Sequence, residues 1–136
     1  MSMIKFLPYG PKGFQMATAG FAGCLALSLL LSPSQVMGEY SIYRSLMVFP
    51  LSQMAWGSFM GAYALAGVIC LFFGGEPKRA AWSTVSILIW CFWATQLLYG
   101  GILEGYVPVI GLFSAVLAGG NFVALLQLAG GQDAVN

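Results

Sequence analysis

The chain has 136 residues, of which 60% are hydrophobic and only 7% charged, and its mean hydropathy is +0.86. Since roughly a quarter of the residues in an average soluble domain are charged, this composition excludes a water-soluble fold. The formal net charge of +1 comes from five Lys and Arg against four Asp and Glu, without a basic patch for nucleic acid.

Four apolar segments are each long enough to cross a bilayer, which takes about 20 residues of α-helix. We therefore predict an all-α, polytopic membrane protein with four transmembrane helices in a compact bundle. The whole chain, 1–136, forms a single membrane domain in this prediction. The predicted spans cover about residues 13–31, 51–73, 80–99 and 107–128.

The N-terminal arm holds Lys5 and Lys12, and its run 7–11 reads Leu-Pro-Tyr-Gly-Pro. Such a run cannot continue a helix, so we expect the arm to lie at the membrane surface. A basic start followed by an apolar core also fits a signal peptide. Because the residues after Leu31 lack a small-x-small cleavage site, retention of the first span is the favoured interpretation.

The segment between the first two spans, about 34–48, has helical periodicity. Val36, Tyr40, Tyr43 and Met47 recur at i, i+4, i+7 and i+11, which places them on one side of a helix. The spacing predicts a short amphipathic helix on the outer interface of the membrane. An irregular loop with its tyrosines at the headgroup level explains the pattern equally well.

The loops predict the orientation, because Lys and Arg in short loops remain on the cytoplasmic side. The hydrophilic turn 74–79 joins spans two and three, and a glycine-rich connection, 100–106, joins spans three and four. With both termini inside, the cytoplasmic side carries Lys5, Lys12, Lys78 and Arg79, whereas the outer side carries only Arg44. We predict an N-in/C-in protein of a cytoplasmic (inner) membrane, with every charged residue in a loop or tail.

Small residues recur at helical spacing in spans one, two and four. Helices in lipid associate by close approach at small residues, because burial of apolar surface contributes little there. We therefore expect these three spans to form the packed core. The predicted helix-packing residues are Ala19, Gly23, Ala26, Gly57, Gly61, Ala64, Gly111, Ala115 and Ala118.

Four polar residues accompany these stripes and would need hydrogen-bond partners in protein or water. They could bond across helix contacts, or they could line a narrow polar path through the bundle. The four residues are Gln15, Gln53, Ser114 and Asn121.

Span three differs, because an aromatic stripe follows one side of it. Trp82, Ser86, Trp90, Trp93 and Leu97 share this side. We predict that the tryptophans face lipid or a neighbouring subunit, and a substrate groove is the alternative.

The chain has few residues that could bind a metal or cofactor or catalyse a reaction. The chain has no histidine, and Cys24, Cys70 and Cys91 lie in apolar runs without metal-ligand spacing, so we expect no metal and no cofactor. The predicted spans also lack a base that could activate a Ser, Thr or Cys nucleophile. Catalysis by this chain alone is therefore not expected.

The remaining interpretation is a small non-catalytic integral membrane protein that acts by assembly. It would be an accessory subunit of a membrane complex or a homo-oligomer, with the lipid bilayer and other membrane subunits as its partners. A protein of a different class is the alternative: a pore-forming or permeation protein, such as a holin-like protein, a small channel or a transporter.

Overall fold

The computed structural model describes residues 10–31 and 53–130, and these residues form four α-helices. All four helices are long and apolar enough to cross a membrane, and they pack in a compact bundle. The all-α class and the four helices of the sequence-based prediction are thereby confirmed. The predicted interfacial segment 34–48 lies outside the described residues. The helices are α1 (Gly10–Leu31), α2 (Gln53–Phe73), α3 (Glu76–Leu103) and α4 (Val109–Ala129).

Prolines and glycines at the helix ends shift the helix bounds from the predicted spans. Helix α1 begins at Gly10, which has φ +71°, and Pro11 occupies its first turn, where a missing N–H costs no hydrogen bond. Helix α3 begins at Glu76 with Pro77 in its first turn, so only two glycines, 74 and 75, separate it from α2. The predicted hydrophilic turn 74–79 is therefore mostly helical.

Helix α3 also continues past its predicted end, through two glycines, to Leu103. A Cβ atom at Gly101 would lie 2.2 Å from Cδ of Pro108, which precedes α4. Glycine therefore lets the connection fold back against α3. The turn itself uses Gly105, whose φ of +85° disfavours other residues.

The helices pack in cyclic order, with α1 against α2, α3 against α4, and α1 also against α4. Helices α2 and α3 have the sparsest contact of these neighbours. Helices α1 and α3 begin at one end of the bundle, where Gln15 contacts Arg79, and α2 and α4 begin at the other.

The small residues of α1 and α2 face each other. A Cβ atom added to Gly23 would lie 3.9 Å from Cβ of Ala64, and one added to Gly61 would lie 3.7 Å from Cβ of Ala26. This pairing lets the two backbones approach closely.

The small residues of α4 are placed differently. Gly111 packs against Leu98 of α3, Ala118 is buried, and Ala115 is exposed. Ala118 thus joins the buried cluster that contains Ala19, Ala26 and Ala64, whereas Ala115 lies outside it.

The aromatic side of α3 lies in the centre of the bundle. Trp90, Trp93 and Leu97 have no exposed surface, and Trp82 is 5% exposed. The prediction that these tryptophans face lipid or another subunit is therefore wrong. The physical reason is that paired small faces draw α1 and α2 together and leave the central space to large side chains, which close packing requires.

Candidate functional site

The first polar cluster joins α1 and α3 at the end of the bundle where both helices begin. The Arg79 guanidinium donates from Nε and Nη2 to Oε1 of Gln15, over 3.1 and 2.9 Å. Gln15 Nε2 donates in turn to the Arg79 carbonyl at 3.2 Å and to Ser83 Oγ at 2.6 Å. Both Gln15 and Arg79 are buried.

The expectation that every charge lies in a loop or tail is therefore wrong: Lys12, Glu76, Lys78 and Arg79 lie within helices, and Arg79 is also buried. A sequence signal for this position exists, because Arg79 precedes Ser83, Ser86 and Trp90 by four, seven and eleven residues. That spacing extends the aromatic side of α3 back to Arg79. A charged side chain can remain on the buried side of a helix when hydrogen-bond partners there compensate for its loss of water.

The second polar contact joins α1 and α4. Asn121 Nδ2 donates to Thr18 Oγ1 at 3.1 Å and to the Leu117 carbonyl at 2.8 Å, and Thr18 Oγ1 donates to the Phe14 carbonyl at 2.9 Å. Thr18 lies one turn from Gln15 on α1, so the Gln15–Arg79 contact and the Thr18–Asn121 contact are about one helical turn apart along the bundle axis. The Asn121 Oδ1 atom is buried, and no described residue donates to it.

The third polar contact centres on Tyr63 and joins α2 to α3. The Tyr63 hydroxyl donates to Ser86 Oγ at 2.5 Å and accepts from Trp90 Nε1 at 3.1 Å. Its ring stacks on Trp82 with centroids 5.1 Å apart and an interplanar angle of 10°. Sequence reasoning missed this residue, although Tyr63 is the one tyrosine of six that lies away from the predicted span ends.

Gln53 and Ser114, the other two predicted polar-path residues, lie elsewhere. Gln53 begins α2 at the opposite end of the bundle, where Nε2 donates to the Leu29 carbonyl at 2.9 Å. Ser114 Oγ bonds the carbonyl of Ile110 in its own helix at 2.8 Å. The structure therefore brings Gln15 and Asn121 to neighbouring levels and leaves Gln53 and Ser114 apart from them.

An aromatic cluster fills the bundle towards the start of α2. Trp56 packs edge-to-face on Trp93, with centroids 5.5 Å apart, and stacks on Phe92 at 6.0 Å. The indole N–H groups of Trp56 and Trp93 are buried, and no described residue accepts from either of them. The Gln15–Arg79 cluster and the Trp56–Trp93 pair thus lie towards opposite ends of the bundle interior.

Open grooves follow three helix seams on the surface. The α1–α2 groove has a volume of about 480 Å³ and is lined by Met16, Ala19, Gly20, Gly23, Ala64, Leu65, Val68, Leu71 and Phe72. The α2–α3 groove has a volume of about 500 Å³ and the α3–α4 groove about 400 Å³. The α2–α3 groove is lined by Phe59, Ala62, Tyr63, Ala66, Cys70, Lys78, Ala81, Trp82, Val85 and Ile89. The α3–α4 groove is lined by Ile87, Cys91, Ala94, Thr95, Ala115, Ala118, Gly119 and Phe122.

The three cysteines are free thiols, with Cys24 and Cys91 exposed. Among the described residues, no group of three His, Cys, Asp or Glu side chains is placed to hold a metal ion.

The four apolar helices define this chain as a helical membrane protein with a four-helix bundle. Comparison with protein-family models, with curated proteins and with solved structures finds no match.

Proposed function

We propose that this chain is a non-catalytic membrane protein that works by assembly, as a homo-oligomer or as an accessory subunit of a membrane complex. The observation that carries the proposal is the α3–α4 groove, where small residues face outward. Gly20 and Gly119 are both exposed, and a Cβ atom added to either would meet nothing within 4 Å, but the exposed residue one turn earlier is the large Met16 before Gly20 and the small Ala115 before Gly119. No contact within this bundle therefore requires a small residue at either position.

Ala115 and Gly119 lie four residues apart on α4 and are both exposed. This small-xxx-small pattern lets the backbone of a second helix approach closely in lipid. Across the groove, α3 presents Cys91 and Thr95, which are also exposed and are small enough to admit such a helix.

The hydrogen bonds among the buried polar side chains also favour a role in assembly over a role in catalysis. Gln15, Arg79 and Ser83 bond one another, as do Asn121 and Thr18, and these bonds stabilise contacts between helices. The polar side chains thus act in holding the bundle together. A protein of this kind acts on its surroundings through its lipid-facing surface.

Cysteine cross-linking in the membrane tests the groove. The variant Cys24→Ser/Cys70→Ser keeps only Cys91 in the groove, and the matched control Cys70→Ser/Cys91→Ser keeps only the exposed Cys24 on α1. Under mild oxidation we expect a disulfide dimer from Cys91 and little or none from Cys24. Adding Gly119→Leu should reduce the Cys91 dimer, because the larger side chain separates the helices.

Equal cross-linking through Cys24 and Cys91 would indicate random collision and contradict assembly through this groove. Without a dimer, a second protein that co-purifies and is released by Gly119→Leu would indicate the accessory-subunit form. A monomer without any co-purifying protein would count against both forms.

The same proposal includes an orientation with both termini on the cytoplasmic side of an inner membrane. Lys12, Lys78 and Arg79 lie at the end of the bundle where α1 and α3 begin, and Glu104 follows α3 at the other end. The basic end supports a cytoplasmic placement. The segment 34–48 would then lie at the outer interface.

A pore-forming or permeation protein is the second candidate. The buried Asn121 Oδ1, to which no described residue donates, favours it, because a permeating species could bond there. The test is ion or dye flux in liposomes. A polar path predicts flux that Asn121→Leu and Ser114→Ala abolish, and flux that survives both substitutions would contradict the path.

A further inference from the structure

The α2–α3 groove exists because Trp82 acts as a wedge between the two helices. Its indole lies over Gly67, where an added Cβ atom would be 2.4 Å from Cζ2, and it stacks on Tyr63. The two rings hold the helices apart at the floor of the groove. Outside them, the small side chains of Ala62, Ala66 and Ala81 leave the seam open.

The two ends of this groove differ in chemistry. Lys78, which is exposed in the first turn of α3, lines one end, and the remaining lining residues are almost all apolar. Glu76 is two residues away from Lys78 and therefore points to the other side of the helix. Glu104, the other described carboxylate, follows the far end of α3. The groove thus has a cation at the membrane surface and an apolar channel leading inward.

The dimensions suit a single lipid chain. From Lys78 to Ile89 the groove follows α3 for eleven residues, or about 16 Å, close to one leaflet of a hydrocarbon core about 30 Å thick. A volume of about 500 Å³ over that length corresponds to a cross-section of about 30 Å².

We propose that the α2–α3 groove binds an anionic phospholipid, with its phosphate against the Lys78 ammonium and one acyl chain along the groove. The positive end attracts the charged headgroup, and the apolar walls replace neighbouring lipid chains. This inference is independent of assembly through the α3–α4 groove.

Tryptophan fluorescence tests the proposal, because Trp82 lines this groove and Trp56 lies beside its inner end. The full-length protein is reconstituted in vesicles that mix phosphatidylcholine and phosphatidylglycerol, with bromine on the acyl chains of one lipid at a time. Bromine quenches only nearby indoles. We expect brominated phosphatidylglycerol to quench with about fivefold higher apparent affinity than brominated phosphatidylcholine, as one lysine at an anionic surface would produce.

The matched variants are Lys78→Gln and Lys12→Gln, since both lysines are exposed at the same end of the bundle and only Lys78 lines the groove. We expect Lys78→Gln to abolish the preference and Lys12→Gln to retain it. Lys78→Arg keeps the positive charge and should therefore retain the preference for phosphatidylglycerol. Ala62→Leu should fill the groove and reduce quenching by both lipids.

Three results would overturn the proposal. The wild-type protein could show equal quenching by both lipids, which would exclude anionic selectivity. Lys12→Gln could lower the preference as much as Lys78→Gln, which would indicate a general surface charge. Finally, Ala62→Leu could leave quenching unchanged and alter the oligomeric mass, which would indicate that a second copy of the chain covers the groove.

Discussion

At the residue scale, the notable feature is an arginine buried among apolar and uncharged polar side chains. Removing a guanidinium from water costs several kcal/mol unless charge-assisted hydrogen bonds compensate. Gln15 accepts two such bonds from Arg79 through its single oxygen, Oε1. Its amide nitrogen, Nε2, donates to Ser83 Oγ of α3. A neutral amide is suited to this position because it both accepts and donates.

We expect Gln15→Leu to lower the free energy of unfolding by about 2 kcal/mol, because leucine cannot accept from the buried guanidinium. The measurement is unfolding in mixed detergent micelles, followed by circular dichroism. Thr84→Val is the control, since the Thr84 hydroxyl is exposed and bonds only the Ala80 carbonyl of its own helix in the described structure. Its effect should stay within about 0.5 kcal/mol. Equal losses in the two variants would show that the Gln15–Arg79 contact contributes nothing to stability.

At the element scale, glycine serves two different purposes in α1 and α2. Gly57 permits close approach of α1 to α2, because an added Cβ atom would lie 2.9 Å from Cγ of Leu30, whereas Gly23 and Gly61 each leave room for ordinary contact with an opposite alanine. Gly67 instead makes space for the indole of Trp82. The same residue type therefore lets α1 approach α2 at one position and makes room for the Trp82 indole between α2 and α3 at another.

Substitution to alanine distinguishes a glycine that accommodates a side chain from one that faces outward. We expect Gly67→Ala to destabilise the bundle by about 1–3 kcal/mol, because the new methyl group overlaps the Trp82 ring. Gly20→Ala removes the same backbone freedom at an exposed site with nothing within 4 Å, and it should be neutral or stabilising by up to about 1 kcal/mol.

Thermal unfolding in detergent provides the comparison of these two variants, and near-ultraviolet circular dichroism reports the Trp82–Tyr63 stack. If Gly67→Ala is as stable as Gly20→Ala and has an unchanged aromatic spectrum, Trp82 does not occupy the space over Gly67.

At the scale of the whole molecule, the bundle is asymmetric along its axis. The polar contacts of Gln15, Arg79 and Asn121 lie towards the end where α1 and α3 begin, and the Trp56–Trp93 pair lies towards the other. Helix α3 has 28 residues and is about 42 Å long, which exceeds a hydrocarbon core of about 30 Å. Both ends of α3 are therefore expected in the headgroup regions.

Cysteine labelling tests the proposed sidedness of these two ends. In a variant without the three native cysteines, Glu104→Cys should react with a membrane-impermeant maleimide added outside intact cells. Lys78→Cys should react only after the membrane is permeabilised, because basic residues remain on the cytoplasmic side. The opposite pattern would invert the topology.

The four helices could be predicted from the sequence because hydropathy over about 20 residues is a local property. The pattern also singled out Gln15 and Asn121, since a polar side chain in an apolar helix requires a partner. Arg79 was missed because it follows the loop residues Gly74 and Gly75, a signal that outweighs its place on the aromatic side of α3. Tyr63 was missed because tyrosine is also common in apolar helices without a buried partner, and only the fold brings its hydroxyl to Ser86 and Trp90.

Local patterns in the amino-acid sequence are enough to show that this protein consists of helices able to cross a membrane, and to indicate which side chains would need partners. The packing of the folded bundle settles which helix faces meet. It placed the tryptophans of α3 inside, turned part of the small-residue stripe of α4 towards lipid, and opened the groove beside Lys78. The physical reason is that an apolar side chain is compatible with both lipid and the protein interior, so hydrophobicity cannot distinguish them. Close packing, with small faces paired and large side chains filling the centre, makes that choice.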